Sequence, residues 1–401
     1  MTLDWQPDAR GARLGDRMLF PDLDAVAYLN HGAISPPSTE VRRAVDALIS
    51  SYAARGVGAF GLWKEQRERL RGRLAALVGG EAQDVALVGS TTQSVVNVAM
   101  CFPWERGDRV LCFRGEFPTN VTPWQQAAKT FGLEVVFLDV EDLRTDDGLA
   151  KLDRELARGV RLVAVSAVQF QTGLRMPVEA IAARARERGA EVFVDAIQAC
   201  GVIPVDVEAW GVDYLGCGSH KWLMGLEGAG FLWVRRERQA ALVPRLAGWL
   251  SHEEPLRFLF EGEGHLRYDR PIRAEPTFLE AGAINGAGFA ALEASLALIQ
   301  HIGVPHISAH VQGYHDALEP ALVERGFVSE RATEGRRSGI LSLRPPEDVD
   351  VIALAADLGA RRVAVTTPDG RLRFAPHWPN DLAEVPEVLD ALDDALAELR
   401  A

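Results

Sequence analysis

Between residues 85 and 234 the chain alternates short apolar runs with longer amphipathic stretches. The runs are Val85–Val88, Arg109–Phe113, Glu134–Leu138, Arg161–Val165, Glu191–Val194, Tyr214–Cys217 and Gly230–Val234. Each is nearly continuous and rich in β-branched or aromatic residues, the pattern of strands buried on both faces. Helical patterns lie between several of them. Pro177 suits a first turn and Gly189 a helix end, so the stretch between them is expected to be a helix. The seven runs predict an α/β fold whose large domain holds a mostly parallel seven-stranded sheet flanked by helices. Sheets of this kind bind ligands beyond the carboxyl ends of their strands.

After about residue 278 the texture changes. Ile284 to Ile302 and Pro305 to Arg325 have the length and pattern of long helices. A strand pair, Gly339 to Leu343 and Arg371 to Phe374, and a last helix, Leu382 to Leu399, follow. The expected organisation is an N-terminal arm (1–30), a large domain (31–277) and a smaller α+β domain (278–401) against which the arm packs. Pro255 to Pro276, rich in charge, glycine and proline, reads as a long surface excursion near the junction.

Composition narrows the function without naming it. A length of 401 residues and 48% hydrophobic content describe a soluble, enzyme-sized chain. The net charge of −13 disfavours a nucleic-acid partner. Met1 to Arg10 is polar and acidic, so no secretory leader is expected, and no apolar run approaches membrane-spanning length. Cys101, Cys112, Cys200 and Cys217 show no C-x-x-C spacing, as expected of reduced thiols in a cytoplasmic protein.

Lys221 lies in Gly216-Cys217-Gly218-Ser219-His220-Lys221-Trp222, directly after an apolar run. Taken alone it is either an ordinary lysine at a strand end or an amine held near neutrality by burial, the form that makes Schiff bases. Asp195 ends the run Glu191 to Val194. A strand-terminal acid followed by a strand-terminal lysine suits pyridoxal phosphate, whose ring nitrogen needs the acid and whose aldehyde needs the amine. Gly89-Ser90-Thr91-Thr92 follows a strand and opens a helix, either as a simple N-cap or as an anion site. Neither a P-loop nor a G-x-G-x-x-G motif opening a helix occurs.

These segments, with Tyr28-Leu29-Asn30-His31-Gly32, Gly115-Glu116-Phe117-Pro118 and Val194-Asp195-Ala196-Ile197-Gln198, fall in the order of one family. From about residue 20 to the C-terminus the chain resembles the class V aminotransferases. These are fold-type I pyridoxal-phosphate enzymes that include cysteine desulfurases, kynureninase and isopenicillin N epimerase. The resemblance implies that Lys221 carries the cofactor as a Schiff base and Asp195 partners the pyridinium nitrogen. It implies that Gln198 bonds the ring hydroxyl and that Thr91, Thr92, Ser219 and His220 hold the phosphate. Phe117 stands where desulfurases place a stacking histidine. Arg373 matches the arginine that grips the substrate carboxylate, and the resemblance to epimerase-like members implies that the loop of His31 lies near the substrate. A homodimer acting on a small amino acid, without nucleic acid or membrane, is the family's expectation.

Three departures qualify it. The segment Val363 to Gly370 has no cysteine, and none occurs after Cys217, which disfavours persulfide-forming desulfuration. Ala283 stands where the family often has a threonine reaching the partner's phosphate, leaving Asn285 or a backbone N–H to compensate. His220 precedes the lysine where kynureninase has tyrosine, although Gly248-Trp249-Leu250-Ser251-His252 resembles a kynureninase segment. His306 and His310 share helical spacing, with His301 and His315 flanking them, but no carboxylate or cysteine completes a metal set, and no metal is expected. The expected function is Cα chemistry on an amino acid, with transamination ahead of β-eliminating C–S cleavage and an epimerase or kynureninase-like hydrolase behind. A non-catalytic binding protein on the same fold is the alternative of another class.

Overall fold

A computed structural model describes residues 5–400, the side chain of Asp146 aside. All seven expected runs are strands of one sheet: β2 (Val85–Val88), β3 (Arg109–Arg114), β4 (Glu134–Asp139), β5 (Val160–Ser166), β6 (Glu191–Asp195), β7 (Tyr214–Gly218) and β8 (Gly230–Val234). β1 is the short Ala27–Tyr28. The sheet order is β2-β8-β7-β6-β5-β3-β4. β8 runs antiparallel to both neighbours and the other pairs are parallel.

Alternation along each strand divides the core. Leu111, Phe113, Val163, Val165, Val192, Val194 and Leu215 pack on one face. Val110, Cys112, Leu162, Ala164, Phe193 and Tyr214 pack on the other. Helix Val178–Glu187, where Pro177 and Gly189 place it, covers the first face through Ile181 and Ala185. Helix Thr122–Phe131 covers the second through Trp124 and Ala127. The chain runs outward from β3 to β4 in one direction and from β5 to β6 and β7 in the other. The sheet therefore switches direction between β3 and β5, where helices leave to opposite faces and open a crevice at the carboxyl edge. Ser166 pairs with Asp195, and Asp195 with Gly216, so these residues share that edge.

The C-terminal segment forms a second sheet, β12-β10-β9, from β9 (Val328–Ser329), β10 (Leu341–Arg344) and β12 (Leu372–Phe374), all antiparallel. β11 (Val363–Ala364) pairs with β1, and Ala27 and Leu29 join the cluster of Leu318, Leu341, Leu343, Phe374 and Leu392. Trp5, near the start of the arm, stacks on Trp63 at 6.1 Å, in a separate cluster with Val41 and Ala290. Helix Gly286–Ile302 also turns toward the large sheet, burying Leu292 and Leu296 in its core and Ala290 and Ala294 against Val41 and Trp63. Among the described residues no single helix is long and apolar enough to cross a membrane.

Candidate active site

The crevice between β3 and β5 and the hairpin between β7 and β8 bring the chemistry together. Lys221 lies in that hairpin, just past Gly218. Burial pushes its ammonium down to about 8; Asp195 opposes the shift and Arg373 adds to it. Its Nζ stands 5.5 Å from the centroid of the Phe117 ring, which is itself exposed. Asp195 ends β6, and its Oδ1 accepts from the Ile197 amide at 2.9 Å. Burial lifts its carboxyl to about 6, with the Ile197 bond and Lys221 working the other way. The amine and the acid are thus both drawn toward neutrality, away from the charged states they hold in water.

Arg373 on β12 reaches into the same space from the second sheet. It is 4% exposed, and its guanidinium bonds a carbonyl and no carboxylate among the described residues. One Nη donates to the Phe170 carbonyl at 2.7 Å, while Nε has no partner. Burial lowers its guanidinium to about 10. A buried, unpaired cation of this kind is costly and is relieved by an incoming carboxylate.

Helix Thr91–Cys101 points its N-terminus at the same edge. Ser90 caps it through Gln93 N at 3.1 Å, and the first-turn amides lack intrahelical partners by construction. Thr91 Oγ1 accepts from the Gly218 amide at 2.8 Å, and Thr92 shares a 2.9 Å bond with Thr119. A Cβ at Gly218 would meet Thr91, Ile197 and His220 at 3.2–3.5 Å, so glycine lets three site elements converge there. His220 sits beside this point, its imidazole driven to lower pKa by burial and then by Lys221.

Two of the expected site residues already hold partners within the protein. Ser219 is fully buried, packs on Gly225 and donates to the Leu226 carbonyl. Its hydroxyl is committed away from Gly218 and the helix terminus, because side-chain alternation continues one residue past β7. His31, also buried, has its Nδ1 2.7 Å from Ser35 Oγ, which in turn donates to the Lys221 carbonyl at 2.7 Å. Since Ser35 spends its proton there, His31 carries the hydrogen on Nδ1. His31 therefore braces the lysine segment, with the rings of Tyr28 and His377 against it. Gln198 is held at both ends, Nε2 to the Gly32 carbonyl at 3.0 Å and Oε1 to Trp222 Nε1 at 2.7 Å. One amide hydrogen stays available for a ring hydroxyl.

Asn285 Oδ1 caps helix Gly286–Ile302 at Gly288 N, and its Nδ2 donates to the Gly228 carbonyl at 3.2 Å. Ala283 instead lines a cavity of about 1080 Å³ with Leu48, Phe60, Leu250 and Ile284, a cavity that Lys221 does not line. In the kynureninase-like segment Gly248 touches Ala281, and Ser251 donates to the Phe278 carbonyl. His306 and His310 bond the carbonyls of Ile302 and Asn380.

Sequence reasoning passed over Glu116. It follows β3, and its carboxylate accepts from Ser166 N at 2.6 Å and from Ser166 Oγ. Burial raises it to about 7, with Asp195 adding to the rise. His377 was missed as well; its Nδ1 accepts from the Trp378 amide at 2.7 Å, so Nε2–H donates to the Trp222 carbonyl at 2.9 Å.

The aminotransferase class-V family model matches residues 27–372. The chain belongs to that family and is a pyridoxal-phosphate-dependent enzyme. An uncharacterized aminotransferase of Bacillus subtilis, YcbU, is 29% identical over 94% of this chain and 96% of its own. A probable cysteine desulfurase of Pyrococcus abyssi is 26% identical over 95% and 97%. Among solved structures, a cysteine desulfurase of Thermococcus onnurineus superposes with a TM-score of 0.82 at 24% identity, covering 93% of this chain and 95% of its own. A lysine-to-alanine mutant of C-DES, which carries glycine covalently linked to its pyridoxal-phosphate cofactor, superposes at 0.86 and 24% identity over 94% and 99%. The residues present fit the cofactor: a near-neutral amine over an aromatic face, a buried acid at a strand end, and a helix N-terminus at the shared edge. Bound there, pyridoxal phosphate supplies a carbonyl for the amine and an electron sink for Cα chemistry.

Proposed function

We propose that this family member is an aminotransferase acting on a small α-amino acid. Lys221 holds the cofactor and then moves the Cα proton with its freed Nζ. Asp195 keeps a proton at the ring nitrogen, and Arg373 takes the substrate carboxylate through the Nε and Nη hydrogens that Phe170 leaves free. The first turn of helix Thr91–Cys101 and His220 take the phosphate.

The observation that carries this reading is the Phe117 ring facing Lys221 Nζ at 5.5 Å. Phenylalanine neither gives nor takes a proton, so on the Phe117 side Lys221 is left both to remove and to return the Cα hydrogen. A single base favours return to a neighbouring carbon over racemisation, which needs a donor on the opposite face. The segment before Arg373 has no thiol to accept sulfur. Its position is also fixed: Arg373 and Thr366 bond each other, with Arg373 N donating to Thr366 O at 2.8 Å.

β-Elimination from a cysteine-type substrate is the second reading, since it breaks the same C–S bond as the relatives named cysteine desulfurase and needs no acceptor thiol. Mixing the holoenzyme with single amino acids separates the two. A transaminase releases one equivalent of keto acid and continues only when a second keto acid is added. Steady release of pyruvate with sulfide or ammonia, and no need for an acceptor, would establish the lyase instead.

A further inference from the structure

The turn Gln169–Thr172 links three walls of the site. Gln169 Nε2 donates to the Gly115 carbonyl at 2.8 Å and to Gln171 Oε1 at 2.9 Å. Its Oε1 accepts from the amides of Gln171 and Thr172 at 2.7 and 2.6 Å and from Thr172 Oγ1 at 3.0 Å. Every polar atom of this buried side chain is therefore used, which makes the turn stiff. Gln171 Nε2 then crosses to the C-terminal segment and donates to Asp369 Oδ2 at 2.9 Å. Asp369 has φ of +53°, a left-handed conformation that aspartate tolerates better than most side chains. Between the two glutamines, the Phe170 carbonyl holds Arg373 at 2.7 Å and the Phe170 ring meets Phe117 edge-on at 5.3 Å.

We infer that Gln171 and Asp369 form a latch that fastens the segment before β12 to the large sheet and thereby aims Arg373 at the substrate carboxylate. They act through Phe170 and the backbone of Thr366 and Arg373, so they are positioning residues. Freed of the latch, the loop before β12 and the Phe170 turn move independently, and Arg373 loses its fixed direction. The inference rests on the reading of Arg373 as the carboxylate site.

Asp369→Gly keeps the left-handed backbone and removes the side chain. Asp369→Asn keeps an acceptor for Gln171. Gln171→Ala removes the donor from the other side. In the holoenzyme, amide hydrogen exchange across 365–373 should quicken about tenfold in D369G and Q171A and stay near wild type in D369N, as expected for losing one bond across two segments. Affinity for glycine, read from the cofactor absorbance, should fall several-fold in D369G and Q171A, while affinity for methylamine, which lacks the carboxylate, holds. Unchanged exchange in both variants would overturn the latch. Faster exchange with an unchanged glycine-to-methylamine ratio would overturn its role in aiming Arg373. Arg373→Lys separates this from the parent reading: if it too leaves the ratio unchanged, Arg373 is not the carboxylate site.

Discussion

Lys221 and Asp195 each stand where burial works against charge, and that tension carries function and stability together. Lys221→Ala should lower turnover by at least about a thousandfold, the scale of losing a positioned acid–base group, while the protein still binds pyridoxal phosphate weakly; near-normal turnover would remove Lys221 from its role. Because the amine reacts only when unprotonated and sits at about 8, capture of pyridoxal phosphate by the cofactor-free protein should quicken as pH rises, with a midpoint near 8. A rate that stays flat from about one and a half pH units below that midpoint to the same distance above it would contradict this. Asp195 is raised from 3.8 to about 6, so folding takes up a proton between those values and stability falls as pH rises through them. Once ionised, the buried carboxylate costs up to about 3 kcal/mol. Asp195→Asn should therefore raise the melting temperature of the cofactor-free protein at mildly alkaline pH while crippling turnover, and no stability gain would show that Asp195 is neutralised by other means. The identities of these two residues were legible because strand ends and lysine context announce them. Glu116 was not, since a lone glutamate in Gly-Glu-Phe-Pro shows its chemistry only once Ser166, far along the chain, lies beside it.

Among elements, the carboxyl ends of β3, β5, β6 and β7 decide where the site lies. Their existence followed from apolar runs and their order did not. Adjacency of β3 and β5, which opens the crevice, depends on a crossover that no local pattern records. The environment of Ser219 was equally hidden: three polar residues in a row read as one binding loop, yet the backbone turns Ser219 to Leu226 and leaves His220 beside Gly218. Gly218→Ala tests this convergence. The added carbon would press Thr91, Ile197 and His220 at 3.2–3.5 Å, and overpacking of about 1–3 kcal/mol at that point should weaken cofactor binding roughly tenfold or more. Cofactor affinity equal to wild type would mean that the three elements do not converge on the phosphate.

At the scale of the whole molecule, Trp249 is exposed, as are Leu259, Phe260, Leu266 and Tyr268 in the excursion from Pro255 to Pro276, and Phe260 lines the large cavity together with Ala283. Large apolar side chains gathered in this way are what an interface between subunits covers. A homodimer is the expected state, and light scattering should give twice the 43.7 kDa chain mass. A monomer at micromolar concentration would leave this surface unexplained. The family, the fold and the cofactor were legible in the sequence, because the lysine, acid and glutamine motifs sit in a fixed order. The reaction could not, because it depends on which side chains face Lys221 across the crevice. The most direct test of the whole account is borohydride reduction of the holoenzyme followed by mass spectrometry of its peptides. The account predicts a single reduced pyridoxyl adduct on Lys221. An adduct on Lys64, Lys129 or Lys151, or none at all, would contradict it.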